Sequence, residues 1–227
     1  MISYAITACN EHEELKRLLD QLESVYEFGS ELVIQLDNPT IEVLDVAKQF
    51  TKMYLDGIDR KLVLFNLDDD FASFKNNLKG HCTKKYIFQI DADELLGNYL
   101  LKNVHELIKA NPEVDVFAIP RINIVNGLTK EYVIEQQWSI QSPRFPLCVK
   151  YDQPAINYPD YQQRLFKNKP EIVWKNKVHE RLVGYNNMTT LQDWTLAPHE
   201  LQELCLIHIK DIDRQKKQNE FYNTLMK

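Results

Sequence analysis

The sequence predicts an α/β fold with a mostly parallel central sheet flanked by helices and a smaller antiparallel region towards the carboxyl terminus. Three observations predict it. Short apolar runs alternate with amphipathic helical segments through the first half of the chain, the pattern of repeated βα units. The early acidic groups fall directly after those runs, where loops at the carboxyl ends of parallel strands gather ligands. From Pro120 onward the rhythm breaks into strand-like stretches that mix aromatics, prolines and charges, as in SPRFP, NYPDYQQRLF and IVWKNKVHERL.

The elements follow in order. Ile2 to Ala8 reads as a buried strand. Asn10 is the expected cap of the next helix, with Glu13 three residues on and Leu15, Leu18, Leu19, Leu22 and Val25 at helical spacing. Glu31 to Asp37 is a second strand ending on an acid. After the Asn38-Pro39 turn, Thr40 caps a helix that turns Leu44 and Ala47 inward. Leu62 to Asn66 makes a third strand, and Asp70 to Leu78 a helix with Phe71, Phe74 and Leu78 on one face. Tyr86 to Ile90 is a fourth strand that runs into Asp91-Ala92-Asp93-Glu94. Leu100, Val104, Leu107 and Ile108 mark a helix ended near Asn111-Pro112, before the strand Val114 to Ile119. The charged stretch from Asp211 to Lys227 is expected to pack as a peripheral helix or to fray, with Ile212, Phe221 and Leu225 as its apolar anchors.

With 227 residues, 44% of them hydrophobic and 26% charged, the chain can bury one substantial core. One domain with an appended lobe is the expectation. No apolar run approaches the roughly 18 residues that cross a bilayer, and MISYAITACNEHEEL lacks the basic-then-apolar order of a leader. A cytoplasmic protein without a transmembrane segment is expected, peripheral membrane contact being left open. Cys9, Cys82, Cys148 and Cys205 lie far apart without a Cys-x-x-Cys pair, so they are read as reduced thiols rather than a zinc or disulfide framework. A net charge of -6 argues against gripping extended nucleic acid, whose affinity comes from phosphate neutralisation.

Chemistry gathers first at Asp91 and Asp93. A strand that delivers Asp-x-Asp into a loop puts two carboxylates within reach of one hard divalent cation. Acids after a strand are also ordinary turns or caps. The other candidates carry the same double reading. His208 lies among Leu206, Ile207 and Ile209, the setting of a core histidine. His179 and Glu180 stand beside Lys177 and Arg181 as a surface group would, and Asp68 to Asp70 reads as a capping run. Arg164, Trp174 and Trp138 suit either sugar-stacking and phosphate-binding walls or packing.

Several segments, taken in order, resemble one family. AITACNEHEELKRLLDQL, VIQLDNPT, DDFASFKNNL, IFQIDADEL and LCLIHIKDIDRQKKQNEFY are similar to motifs of the family-two glycosyltransferases, whose fold is GT-A (Rossmann-like). YPDYQQRLFKNKPEIVWKNKVHERL resembles the subgroup that includes lipopolysaccharide-core glucosyltransferases. The resemblance implies that Ala8, Asn10, Glu11, Asp37, Lys75, Asn76 and Asp91 face the sugar donor. It places Asp93 on the metal, with His208 as a further ligand and Glu94 behind them. Glu180 would take the acceptor proton, with His179 orienting it or touching phosphate, and Arg164 and Trp174 would lie on the acceptor side. Lys75 departs from the family's arginine: the charge is kept and the bidentate fork is lost.

The implied reaction is an inverting, Mn2+- or Mg2+-assisted transfer from a nucleoside-diphosphate sugar, UDP-sugars first, to a hydroxyl acceptor such as a glycan or lipopolysaccharide core. An imidazole ligand favours manganese over magnesium. Residues 1–120 would then form the nucleotide-sugar-binding α/β half, and 121–227 the acceptor-binding and metal-completing half of the same domain. A nucleotidyltransferase is the alternative, disfavoured because ITACNEHEEL has no glycine to cradle a triphosphate. A non-catalytic nucleotide-sugar-binding module is another. A hydroxymethylated base in DNA, engaged by Lys167, Lys169, Lys175 and Lys177, is the alternative acceptor.

Overall fold

A computed structural model describes residues 1–52, 57–141, 154–191 and 202–225. Cys148 and the SPRFP stretch lie outside them. The chain forms two compact units, one of Met1–Asp93, His105–Ala118 and Gln163–Thr189, the other of Glu94–Val104, Ile119–Gln162 and Thr190–Lys227.

In the first unit, β1 (Ile2–Ala8), β2 (Glu31–Leu36), β3 (Asp59–Leu64) and β4 (Tyr86–Asp91) lie in the order β3-β2-β1-β4, all parallel. The register pairs Ala8 with Leu36, Leu36 with Leu64 and Thr7 with Asp91, so all their carboxyl ends reach one edge of the sheet. Beyond β4 runs the end of β8 (Ala155–Lys167), antiparallel, with Tyr86 opposite Lys167. The flanking helices are α1 (His12–Glu23), α2 (Ile41–Thr51) and α3 (Phe71–His81). Each buries one stripe: Leu15, Leu18, Leu19 and Leu22 on α1, Val43, Ala47 and Phe50 on α2, Ala72, Phe74 and Leu78 on α3. Every such fully buried leucine is worth about 1.5–3 kcal/mol over an exposed one. A two-stranded antiparallel ribbon, β9 (Val173–Lys175) and β10 (Arg181–Val183), completes this unit. Gly184 follows it with φ 83, and a Cβ there would stand 1.9 Å from the Glu171 carbonyl oxygen, so no side chain fits.

Local chemistry at the helix starts agrees in two cases and differs in one. Thr40 accepts from the Val43 amide at 3.4 Å, and Asp70 from the Ser73 amide at 2.8 Å, both as expected caps. Asn10 does not cap α1. The residue before the helix is Glu11, whose Oε2 reaches back to the Cys9 and Asn10 amides at 2.8 and 3.1 Å. Burial on α2 falls on Val43 and Phe50, while Leu44 is only half-buried. Strand β3 begins earlier than its apolar residues suggest, because the ladder pairs Glu31 with Asp59.

The second unit contains β5 (Glu94–Leu96), most of β6 (Val116–Asn126) and β12 (Leu206–Asp211). The expectation of short antiparallel strands from Pro120 onward holds for β9 beside β10 in the first unit, and for β7 (Ile140–Gln141) beside the start of β8. It fails for β12 beside β6, which is a parallel pair over six register positions, Leu206 opposite Arg121 through Asp211 opposite Asn126. A parallel partner comes from a distant part of the chain, and local pattern does not reveal it. α4 (Asn98–Ala110), α5 (Lys130–Glu135), β11 (Met188–Thr190) and α6 (Ile212–Leu225) complete the elements. α6 is a helix, but Phe221 is exposed. Asn219 Nδ2 instead donates to the Tyr132 hydroxyl at 3.0 Å and to Gln136 Oε1 at 3.2 Å.

The result is a mixed α/β fold with a mostly parallel sheet flanked by helices and a small antiparallel ribbon, the class the sequence predicts. Among the described residues no helix is long and apolar enough to cross a membrane. Cys9, Cys82 and Cys205 are free thiols, and burial pushes Cys82 and Cys205 up to about 12.

Candidate active site

The carboxyl edge of the first unit's sheet carries the acids. Asp91 is the last residue of β4, and Thr7 Oγ1 on neighbouring β1 donates to its Oδ1 at 2.8 Å. Arg164, on the antiparallel neighbour β8, makes a close Nη2 contact with Asp91 Oδ2. Arg164 is buried, while the Asp91 side chain is 30% exposed. Burial pushes the Asp91 carboxyl up, but the Arg164 and Lys75 charges and the Thr7 hydroxyl outweigh it and hold the group well below the usual carboxylate range. Asp93 follows in the turn, half-buried, after the Ala92 amide has bonded to Thr7 O at 2.9 Å. Its own charge acts on Asp91 in the opposite, raising sense.

Arg164→Met is therefore expected to destabilise the protein by about 3 kcal/mol, the lower end for a charge left buried without its partner. Denaturant midpoints check it, and Asp91→Asn added to Arg164→Met should recover part of the loss. The folded Asp91 value is depressed below the unfolded value of about 3.9. The contribution is thus fully present above that pH and is lost as pH falls through the folded value.

Lys75, on α3, is buried, and its Nζ sits 2.5 Å from Glu180 Oε1 and 4.8 Å from the centre of the Trp174 ring. Glu180 is 17% exposed and stands just ahead of β10, after a loop in which Asn176 and His179 take φ 75 and 53. Those left-handed turns carry the loop round beside α3, and the Phe71 amide donates to Lys177 O at 3.0 Å. His179 is exposed.

Asn76 and Trp174, both sequence candidates, hold each other instead of facing a cleft. The Asn76 amide donates to Trp174 O at 2.9 Å and accepts from Trp174 N at 2.8 Å, as a backbone strand would. The Trp174 ring is 3% exposed, lies edge-on to Phe166, and donates through Nε1 to Gln89 Oε1 at 3.0 Å. Arg164 is likewise taken up by Asp91. Of the two residues expected on the acceptor side, Arg164 is buried against Asp91 and Trp174 is buried in the core. Asn76, half-buried, clamps β9 through its two bonds to Trp174.

At the neighbouring strand ends, Ala8 O accepts from the Asp37 amide at 3.0 Å. Asp37 Oδ1 accepts from the Leu67 amide and from Asn38 Nδ2, both at 3.0 Å, and so ties the β2 end to the loop after β3. Glu11 shapes the turn after β1 through the two amides it collects, and Asn10 is exposed there. Of the lysines offered for a DNA base, Lys167 and Lys169 both pair with Asp115, at 3.0 and 2.9 Å.

The second unit holds a polar network that sequence reasoning missed. Arg121 Nη1 donates to fully buried Glu94 at 2.9 Å, and its Nε and Nη2 donate to Asp160 Oδ2 at 3.0 and 2.7 Å. Asn123 Nδ2 donates to the same Asp160 oxygen at 2.9 Å, and Asn123 Oδ1 stands 2.8 Å from His208 Nδ1. Burial pushes Asp160 up, but Arg121 and the hydrogen bonds of Asn123 and Gln162 hold it below the usual range. A signal was present: Arg121 and Asn123 on β6, like Asp160 and Gln162 on β8, recur at the strand period within largely apolar strands. Asp93 lies in the first unit and His208 in the second. Among the described residues no three His, Cys, Asp or Glu side chains gather as a metal cage.

Two solved structures have a similar fold. S. aureus TarS 1-349 is 15% identical with a TM-score of 0.56, over 85% of this chain and 58% of that one. The same protein in complex with UDP-GlcNAc is 14% identical with a TM-score of 0.59, over 92% of this chain and 58% of that one. The chain thus spans 58% of the length of these TarS chains, and at such identities the likeness is one of fold. No curated protein sequence matches. The sequence profile of Glycosyl transferase family 2 matches residues 3–181, through the strand ends, the Asp-x-Asp turn and the loop that carries Glu180. The chain belongs to glycosyl transferase family 2.

Proposed function

We propose that this chain is a metal-assisted, inverting glycosyltransferase that moves a sugar from a nucleoside-diphosphate sugar to a hydroxyl acceptor. The observation that carries the reading is the set Asp37, Asp91, Asp93 and Lys75–Glu180, which lies in one unit and within the residues that match family 2. UDP-sugars are the proposed donors, supported by the complex of similarly folded TarS with UDP-GlcNAc. A glycan or lipopolysaccharide core is the proposed acceptor, on the resemblance of the segment around Glu180. With Lys167 and Lys169 committed to Asp115, a DNA base is the poorer alternative. A cytoplasmic site of action, with only peripheral membrane contact, goes with such a donor.

The cation we propose is a hard divalent one of the manganese or magnesium kind. Asp93 supplies a carboxylate oxygen from a turn, the usual partner of an ion that also binds substrate phosphates. His208 is the second protein ligand we propose, from the resemblance. When bound, such an ion neutralises charge that grows on the departing nucleoside diphosphate.

Asp91, kept ionised by Arg164, accepts hydrogen bonds from donor hydroxyls and stays an anion throughout. Asp37 holds the β2 end and offers its second carboxylate oxygen to the nucleoside. Glu180 takes the acceptor proton as the acceptor oxygen attacks the anomeric carbon and the bond to the diphosphate breaks, with no covalent enzyme intermediate. Lys75 fixes the Glu180 carboxylate by direct pairing.

The test is a panel of nucleotide sugars assayed for transfer and slow hydrolysis, with chelator and with manganese restored. Turnover of one donor, lost with chelator and regained with manganese, is the expected result. Tight donor binding with neither transfer nor hydrolysis would point to a binding module, and turnover of a nucleoside triphosphate to a nucleotidyltransferase.

A further inference from the structure

We infer that Asn123 is a positioning residue that fixes the His208 imidazole with its proton on Nδ1, leaving Nε2 as the lone-pair donor. This deepens the proposed function and rests on it only for the use to which Nε2 is put. The argument runs along a chain of hydrogen bonds with a defined direction. Arg121 places two N–H groups on Asp160 Oδ2, and Gln162 Nε2 donates to Asp160 Oδ1 at 2.6 Å. An arginine is always charged, so the carboxylate facing it is the ionised, accept-only form.

The Asn123 group that stands 2.9 Å from Asp160 Oδ2 must then be the NH2 end, because an amide oxygen there would repel the carboxylate. That orientation turns the amide carbonyl towards His208. A carbonyl only accepts, so at 2.8 Å His208 Nδ1 must donate and must carry the proton. In a neutral imidazole with Nδ1–H the proton is absent from Nε2.

The backbone holds the parts in register. His208 on β12 lies opposite Asn123 on β6 and opposite Glu94 on β5. Arg121, two residues before Asn123 and on the same face, spans Glu94 and Asp160, so the orienting charge is itself anchored. With His208 5% exposed, water cannot readily substitute for the Asn123 carbonyl. Carbonyl orientation of an imidazole is the arrangement that presents the opposite nitrogen to a metal, and losing such a partner typically weakens metal binding about 10–100-fold.

The experiment is 15N NMR of the full chain labelled at histidine, metal-free, at about pH 8, above the ordinary imidazole value of about 6.5. His208→Gln assigns the resonance. The expected pattern is a protonated Nδ1 and an unprotonated Nε2 in the parent. Asn123→Ala and Asp160→Asn, each checked for folding by circular dichroism, should both shift it towards the Nε2–H form that free histidine prefers. A parent His208 protonated on Nε2 overturns the inference without needing any variant, as does a tautomer unmoved in two folded variants. Absence of sugar transfer would sink the proposed function and leave this pattern as it is, so the two failures are separable.

Discussion

Asp93→Asn is expected to lower kcat/KM for sugar transfer by on the order of a thousandfold, and Asp91→Asn to lower stability as well as turnover. The magnitude is that of removing one group which stabilises charge developing in the transition state. Asp91 neutralises buried Arg164 and accepts from Thr7, so Asp91→Asn removes structural bonds together with any contact to the donor. Turnover at saturating manganese and the melting temperature, measured for both variants, decide it. Wild-type turnover in Asp93→Asn would remove this carboxylate from the site, and an unchanged melting temperature in Asp91→Asn would remove the structural part assigned to Asp91.

Glu180→Gln is the second large effect. A general base typically supplies a factor of about a hundred to ten thousand, so kcat should fall in that range while the donor KM changes little. The glutamine keeps a carbonyl oxygen to accept from Lys75 but cannot take a proton. The discriminating readout is the split between kcat and the donor KM: loss of a proton acceptor lowers kcat at an unchanged donor KM. A variant that merely disturbed packing would move both. Lys75→Met should act differently, moving Glu180 and removing one of the charges that hold Asp91 ionised. Should Glu180→Gln retain the parental rate, the base must be sought elsewhere.

Much of the first unit was legible in the sequence, for a physical reason that particular residues make plain. Ile2 to Ala8 and Tyr86 to Ile90 are mostly apolar and buried along almost their whole length because parallel strands are covered on both faces. Thr40 and Asp70 cap their helices through contacts only three residues long. Such signals are local, and so they survive in a single sequence. Glu11 misled the reading, since a side chain that turns back on the preceding amides leaves the same pattern as Asn10 capping forward.

The candidate site divides along the same line. That acids end the strands, that an Asp-x-Asp turn follows β4, and that a His-Glu pair lies in a loop were all visible from residue order. Which charges neutralise one another was not. Arg164 on Asp91, Lys75 on Glu180, the Asn76–Trp174 clamp and the Arg121–Asp160–Asn123–His208 chain join residues 37 to 105 positions apart. The sequence alone determined which chemical groups are available and which strand or helix delivers them, because periodicity and capping act within a few residues. Only the tertiary structure showed that Arg164 pairs with Asp91, that Trp174 is buried, and that His208 Nδ1 stands against an asparagine oxygen. Burial and the direction of a hydrogen bond are properties of what lies opposite in space, and the pairing of β12 with β6 brings those neighbours from distant parts of the chain.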